Sequence, residues 1–67
     1  MRLRNVLTRR LREYRDKRGL TQHELARKAG LSRGYLARLE IGRQDPTLST
    51  LEKLARALGV KISRLIE

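Results

Sequence analysis

The sequence predicts an all-α domain built from five short helices. Its apolar residues are mostly leucine and alanine, which favour helices, whereas valine and isoleucine are few. Leucines recur at helical spacing in successive stretches, and glycines and helix-capping residues separate those stretches. A chain of 67 residues suits one small domain, and the absence of cysteine means that packing alone must stabilise it. We therefore expect residues 1–67 to form a single domain.

The first helix is predicted over about residues 6–18. Asn5 can cap its N-terminus, and Gly19 follows its C-terminus. Three residues at i, i+4 and i+7 form its inner stripe: Leu7, Leu11 and Tyr14. Residues 1–4 before it form a short basic lead, which is predicted to fray.

The second and third helices are predicted over about residues 22–29 and 33–41. Thr21 and Glu24 form the pattern of a capping box before the second helix, and Ser32 can cap the third. Only about three residues, among them a glycine, join the two helices, which is too few for an antiparallel pair. The sequence therefore predicts a helix-turn-helix crossing that holds the third helix outwards.

The last two helices are predicted over about residues 48–58 and 62–66. Thr47 can cap the fourth helix and Gly59 ends it. Three apolar residues of the last helix have two open interpretations: Ile62, Leu65 and Ile66. They either close the core or form part of a two-fold interface with a second copy of the chain.

The charge of the chain indicates a polyanionic partner. The formal net charge is +10, from 17 Lys and Arg against 7 Asp and Glu, and 13 of the cations are arginines. A surface rich in ion pairs would also be basic, but so large an imbalance in so small a domain favours nucleic acid. Residues 1–45 carry 13 cations and 5 anions, whereas residues 46–67 carry 4 and 2. The N-terminal part should therefore bind the anion, and residues 1–4 could follow a phosphate backbone as an arm.

Several other kinds of site are not predicted. One histidine and no cysteine give no metal site, and no cofactor site or catalytic arrangement of Ser, His and Asp is evident. Two tyrosines, with no Phe or Trp, offer little stacking for single-stranded nucleic acid. The apolar runs are too short to cross a membrane, and no signal peptide is apparent, so a cytoplasmic protein is expected. Because no catalytic arrangement is evident, we do not expect an enzyme.

The ordered set of motifs resembles the helix-turn-helix of the small phage-repressor and Cro-like regulators, often called the XRE family. These segments carry the resemblance: Gly19-Leu20-Thr21-Gln22, Glu24-Leu25-Ala26, Gly30-Leu31-Ser32, Leu36, Leu39-Glu40, Gly42, Pro46-Thr47-Leu48, Leu51, Leu54-Ala55 and Ala57-Leu58-Gly59-Val60. The resemblance implies a compact lambda-repressor-like domain that binds double-stranded DNA, most simply a transcriptional repressor acting as a homodimer on a palindromic operator. An antitoxin or control protein of the same fold, which mainly binds a protein partner, is the alternative.

The outer face of the third helix is the predicted base-reading surface. Arg33 and Arg38 can each make a bidentate contact with a guanine, and Ala37 can meet a thymine methyl group. Many members of the family have a polar reading side chain at the position of Gly34, so this chain lacks one contact there. Either the backbone at Gly34 approaches the DNA more closely or Tyr35 does more of the reading.

Further contacts are expected beside that surface. Four residues are predicted to contact phosphates: Gln22, Ser32, Gly42 through its backbone N–H, and Arg43. For Gln22 and Arg43 this is what the resemblance implies, and a solvated polar residue is the other interpretation of Gln22. In the family, the glutamine also often contacts the first residues of the recognition helix. The resemblance further implies an ion pair between Arg15 on the first helix and Glu40 at the end of the third. Two solvated surface charges are the other interpretation of Arg15 and Glu40.

Overall fold

The structure is a computed structural model that describes residues 3–67, with side chains from Arg4 onward. The described chain forms five helices: α1 Leu3–Lys17, α2 Gln22–Ala29, α3 Arg33–Glu40, α4 Leu48–Leu58 and α5 Ile62–Ile66. Residues 3–67 contain no β-strand. The predicted all-α, five-helix architecture is therefore confirmed.

The first helix begins earlier than the sequence predicted. Leu3 and Arg4 are already helical, so Asn5 is an interior helical residue and the prediction that it caps α1 is wrong. The part of the basic lead at Leu3 and Arg4 is ordered as helix, while residues 1–2 lie outside the described part of the chain. The first turn is joined to the next by the Thr8 hydroxyl, which donates to the Arg4 carbonyl at 2.8 Å, and the Arg4 Nη1 also lies 3.3 Å from the Asp45 Oδ1.

Capping defines both ends of α2. The Thr21 Oγ1 accepts the backbone N–H of Glu24 at 3.1 Å, and the Glu24 carboxylate accepts the backbone N–H of Thr21 at 2.9 Å. The bond from the Thr21 backbone, followed by that from its side chain, lowers the pKa of Glu24. This cap therefore stabilises the fold at neutral pH, and its contribution is lost as the pH falls through the lowered pKa. Gly30 ends the helix in the left-handed region, with φ of 73°.

Capping also sets the length of α3. The Ser32 Oγ accepts the backbone N–H of Tyr35 at 3.1 Å, as expected for an N-cap. At the other end, Ile41 is the C-cap and not a helical residue, so α3 is one residue shorter than predicted. The cause is Gly42, whose positive φ of 75° turns the chain away immediately after the helix.

A leucine-rich core lies between the helices. The most fully enclosed side chains among the described residues are Leu7, Leu11, Leu25, Leu36, Leu39, Leu54, Leu58 and Leu65. Packing of α3 against α1 and α2 buries its inner face and leaves its outer face exposed. None of the helices within residues 3–67 has both the length and the apolar character needed to cross a membrane.

One of the three predicted interface residues, Leu65, lies in the core of the single chain. Leu65 is 0% exposed in the single chain, so it closes the core and cannot contact a second copy. Ile62 and Ile66 are only partly buried and remain partly accessible. The cause is the packing of α5 against α1 and α4, which points Leu65 inwards. The prediction of Leu65 as an interface residue is corrected accordingly.

Candidate nucleic-acid interface

The outer face of α3 brings together the residues predicted to read bases. Arg33, Gly34 and Arg38 are exposed, and Ala37 is half-buried beside them. Spacing of four residues places Arg33 over Ala37 and Gly34 over Arg38 on the same side of the helix. The face opposite is anchored in the core, so these side chains are presented on a fixed element.

Tyr35 lies at the edge of that face, where it joins α3 to α4. Its hydroxyl is 3.0 Å from Thr50 Oγ1, and the Thr47 hydroxyl donates to the same atom at 3.0 Å. Thr47 is the N-cap of α4 and accepts the backbone N–H of Thr50 at 3.1 Å. The Tyr35 hydroxyl therefore has an internal partner, which argues against its use as the main base-reading group in place of a side chain at Gly34.

Arg38 extends along the outer surface of α3, held by weak neutral contacts. Its Nε lies 3.5 Å from the Gln44 Oε1, and its guanidinium carbon lies 6.0 Å from the centre of the Tyr35 ring. These contacts orient the guanidinium without neutralising its charge. Sequence reasoning missed Gln44 as a neighbour of Arg38, because the contact depends on how the loop after α3 folds back.

Gly34→Ala is expected to stabilise the domain by about 0.5–1 kcal/mol, the usual difference in helix propensity. Gly34 does not have a positive φ, and a Cβ there would meet only the Arg38 Nη1, at an ordinary 3.6 Å. Urea unfolding at neutral pH would measure the change. Gly59→Ala is the matched control, because Gly59 has φ of 69° and its replacement should be destabilising. A Gly34→Ala domain that unfolds at lower urea concentration would contradict this account.

Two of the predicted phosphate-binding side chains keep a free donor. The Gln22 Nε2 donates to the Glu40 Oε1 at 3.1 Å, but an amide nitrogen has a second N–H. Gln22 thus contacts the last residue of α3, not its first residues as the resemblance implied. The Ser32 hydroxyl accepts the backbone N–H of Tyr35 and can still donate its own proton to a phosphate oxygen.

The loop after α3 provides a charge rather than a backbone donor. The Gly42 N–H, predicted to contact phosphate, instead donates to the Leu39 carbonyl at 3.2 Å. The next N–H, that of Arg43, donates to the Arg38 carbonyl at 2.9 Å. Both bonds satisfy carbonyl groups that the end of α3 leaves unpaired. The internal acceptor of the Gly42 N–H does not favour the predicted phosphate contact, whereas the Arg43 side chain is exposed and stays a predicted one.

A buried ion pair holds α1 against the end of α3. The Arg15 Nε and Nη2 donate to the two carboxylate oxygens of Glu40 at 2.7 and 3.0 Å, and Arg15 Nη1 donates to the Leu20 carbonyl at 2.9 Å. Only 18% of the Arg15 side chain and 3% of the Glu40 side chain are exposed. The bonds with Glu40 raise the pKa of Arg15, although burial opposes this. The structure thus contains the pair that the resemblance implied, and Gln22 joins it from α2.

The exposed polar groups around α3 are mainly hydrogen-bond donors. Within residues 3–67, no three His, Cys, Asp or Glu side chains are close enough together to hold a metal ion. His23, in the first turn of α2, is exposed. The described surface around α3 offers guanidinium groups, an amide and a hydroxyl, which are donors suited to phosphate oxygens and to the edges of bases.

These features define a helix-turn-helix domain with an exposed, basic second helix in the motif. The chain belongs to the helix-turn-helix family HTH_3, whose family model matches residues 11–65. This match confirms the resemblance to the XRE group of regulators that the sequence motifs indicated.

Relatives with known sequences or structures agree with this assignment. The immunity repressor protein of Bacillus phage phi105 is 51% identical over 57 residues, which cover 85% of this chain and 40% of that protein. A hypothetical transcription factor from Neisseria superposes with a TM-score of 0.93 at 44% identity, covering 96% of this chain and 72% of that one. The biofilm master regulator SinR, solved in complex with DNA, superposes with a TM-score of 0.87 at 34% identity. The match covers 91% of this chain and 98% of the SinR chain. The chain thus spans less than half the length of the phage repressor.

Proposed function

We propose that this domain is a sequence-specific transcriptional regulator, most simply a repressor, that inserts α3 into the major groove of double-stranded DNA. The observation that carries the proposal is the exposed outer face of α3, where Arg33 and Arg38 project from a helix whose other face is fixed in the core. A recognition helix of a helix-turn-helix protein reads base edges from such a face. The similarity to SinR, which was solved with DNA, supports the same mode of binding. A regulator of this kind acts in the cytoplasm.

The roles of the residues on that face follow from their chemistry. A guanidinium group forms two parallel hydrogen bonds with the O6 and N7 of guanine, so Arg33 and Arg38 are assigned to guanines. Ala37 is assigned to a thymine methyl group. At Gly34 the lack of a side chain allows the helix backbone to approach the bases, and the internal bond of the Tyr35 hydroxyl supports this interpretation over reading by Tyr35.

We further propose that the domain binds as a homodimer to a palindromic site. Two copies would place their α3 helices about 34 Å apart, one turn of DNA, with Ile62 and Ile66 of α5 in the interface. Selection of bound duplexes from a random pool tests both proposals together. An inverted repeat with half-sites about 10 base pairs apart is expected. A single unrepeated motif would contradict the dimer, and a pool without any consensus would contradict sequence-specific binding.

A regulator whose main task is to hold a protein partner is less well supported. If the domain mainly bound a protein partner, we would expect an exposed apolar patch away from α3. The large apolar side chains exposed in the described chain are Ile41 at 64% and Leu48 at 67%. They border the loop that follows α3, next to the proposed DNA-binding face, so they do not favour a separate protein-binding surface.

Arg43→Ala and Gln22→Ala are expected to weaken binding to the selected site and to random DNA alike, because both side chains are assigned to phosphates. Loss of Arg43 should reduce the slope of log K against log salt concentration by about one unit. Fluorescence anisotropy over a salt series would measure the slope. Arg56→Ala is the matched control, because Arg56 is exposed in the last turn of α4 and should leave the slope unchanged. Weakening restricted to one DNA sequence would show that Arg43 contacts a base.

A further inference from the structure

The first two turns of α1 border the loop that follows α3. The Thr8 hydroxyl donates to the Leu39 carbonyl at 3.0 Å, and a Cβ built on Gly42 would lie 3.6 Å from the Thr8 Oγ1. One turn earlier, the Arg4 Nη1 lies 3.3 Å from the Asp45 Oδ1. Arg4 therefore lies at the edge of the loop that carries Arg43, although 39 positions separate them in sequence.

The ion pair between Arg4 and Asp45 differs in kind from the pair between Arg15 and Glu40. The Asp45 side chain is 79% exposed and that of Arg4 is 29% exposed, so solvent screens their attraction and the pair contributes little to stability. The Arg4 Nε is buried and has no hydrogen-bond partner among the described residues. Asp45 is also the acidic residue of the segment 41–47, whose other charged residue is Arg43.

We propose that Arg4 is a further phosphate-binding residue and that Asp45 masks it, which limits the affinity of the domain for DNA. The inference rests on the proposed function, since it requires a DNA strand to pass the loop after α3. While paired, Arg4 and Asp45 add no net charge to that edge, and the exposed carboxylate repels phosphate. Without the carboxylate, the Nη donors of Arg4 are free to bind phosphate at the edge of the loop that carries Arg43.

The test compares Asp45→Asn with Glu13→Gln in salt titrations of duplex binding. Each change removes one negative charge and the acidic partner of an arginine side chain. Asp45 is the partner of Arg4, whereas Glu13 lies 3.7 Å from Arg9 and 3.8 Å from Arg10. Glu13 is nine residues further along α1 than Arg4, away from the loop that carries Arg43. One of its two partners, Arg10, also donates to the Glu67 carbonyl. Asp45→Asn is expected to steepen the slope of log K against log salt by about 0.9. Lowering the salt from 200 to 50 mM should then raise the affinity of this variant about threefold more than that of the unaltered domain. Glu13→Gln should leave the slope unchanged.

The same comparison in an Arg4→Gln background isolates the masked guanidinium. There Asp45→Asn is expected to leave the slope unchanged, because the cation it would free is absent. Equal slopes for Asp45→Asn and Glu13→Gln would overturn the inference. A slope that steepens equally without Arg4 would also overturn it, since carboxylate repulsion alone would then explain the effect. If the unaltered domain binds no duplex at any salt concentration, the proposed function itself fails.

Discussion

Glu40→Ala is expected to destabilise the domain by about 3–5 kcal/mol, as is usual when one partner of a buried ion pair is removed. The change leaves the Arg15 guanidinium, only 18% exposed, without the carboxylate that accepts two of its hydrogen bonds. It also removes the acceptor of the Gln22 amide. Urea unfolding followed by circular dichroism measures the loss. Glu52→Ala is the control, because Glu52 is exposed on α4 and its loss should change stability by less than about 0.5 kcal/mol.

A loss of about 3–5 kcal/mol is as large as the whole stability that a single core of this size usually supplies, so much of the Glu40→Ala protein is expected to be unfolded. Glu40→Gln keeps one oxygen that accepts from Arg15 and is expected to remain folded with an intermediate stability. Glu40→Ala and Glu52→Ala domains with equal urea midpoints would contradict the role assigned to the buried pair. That result would mean that the guanidinium is hydrated in the folded state.

Arg33→Ala and Arg38→Ala are each expected to reduce discrimination at one base pair of the site by about 1–3 kcal/mol. The reason is that a bidentate contact with guanine is lost, whereas the rest of the surface remains. Dissociation constants for the selected duplex and for its single-base-pair variants measure this difference. Arg38→Lys separates charge from geometry, because it keeps the positive charge but not the fork of donors.

A uniform loss across all duplexes would contradict the assignment of either arginine to a base. Arg64→Ala provides the control, since Arg64 is exposed on α5, away from α3, and its loss should leave base-pair preferences unchanged. A preference that changes at the same base pair in Arg33→Ala and Arg38→Ala would place both guanidinium groups on one guanine.

The sequence predicted the helices whose ends are encoded locally. The bounds of α2 and α4 match, because a capping Thr precedes each of them and a left-handed glycine follows each. The bounds of α5 also match, although neither of its ends adjoins such a residue. The start of α1 was not predictable in this way. Asn5 is a good local cap, but the helix extends past it, and its first turn contacts Asp45, which lies far away in sequence. Local signals therefore predicted most ends, whereas the bounds of α1 and the last residue of α3 were not predicted.

In the candidate site, too, the features that follow from local spacing were predicted and the contacts made through a loop were not. Helical spacing was enough to place Arg33 and Arg38 on an exposed face and Leu36 in the core. Contacts made through the loop after α3 could not be derived from spacing, which is why the neighbour of Arg38, Gln44, was missed and the Gly42 N–H was assigned to phosphate. These details depend on how a glycine turns the chain after a helix.

Methylation protection on the selected duplex tests whether α3 enters the major groove, because dimethyl sulfate modifies the N7 of guanine, which faces that groove. The bound domain is expected to protect specific guanines, and Arg33→Ala and Arg38→Ala are each expected to restore the reactivity of a different one. Guanines that stay fully reactive on a saturated duplex, or a protection pattern unchanged by both substitutions, would contradict the placement of α3 in the major groove.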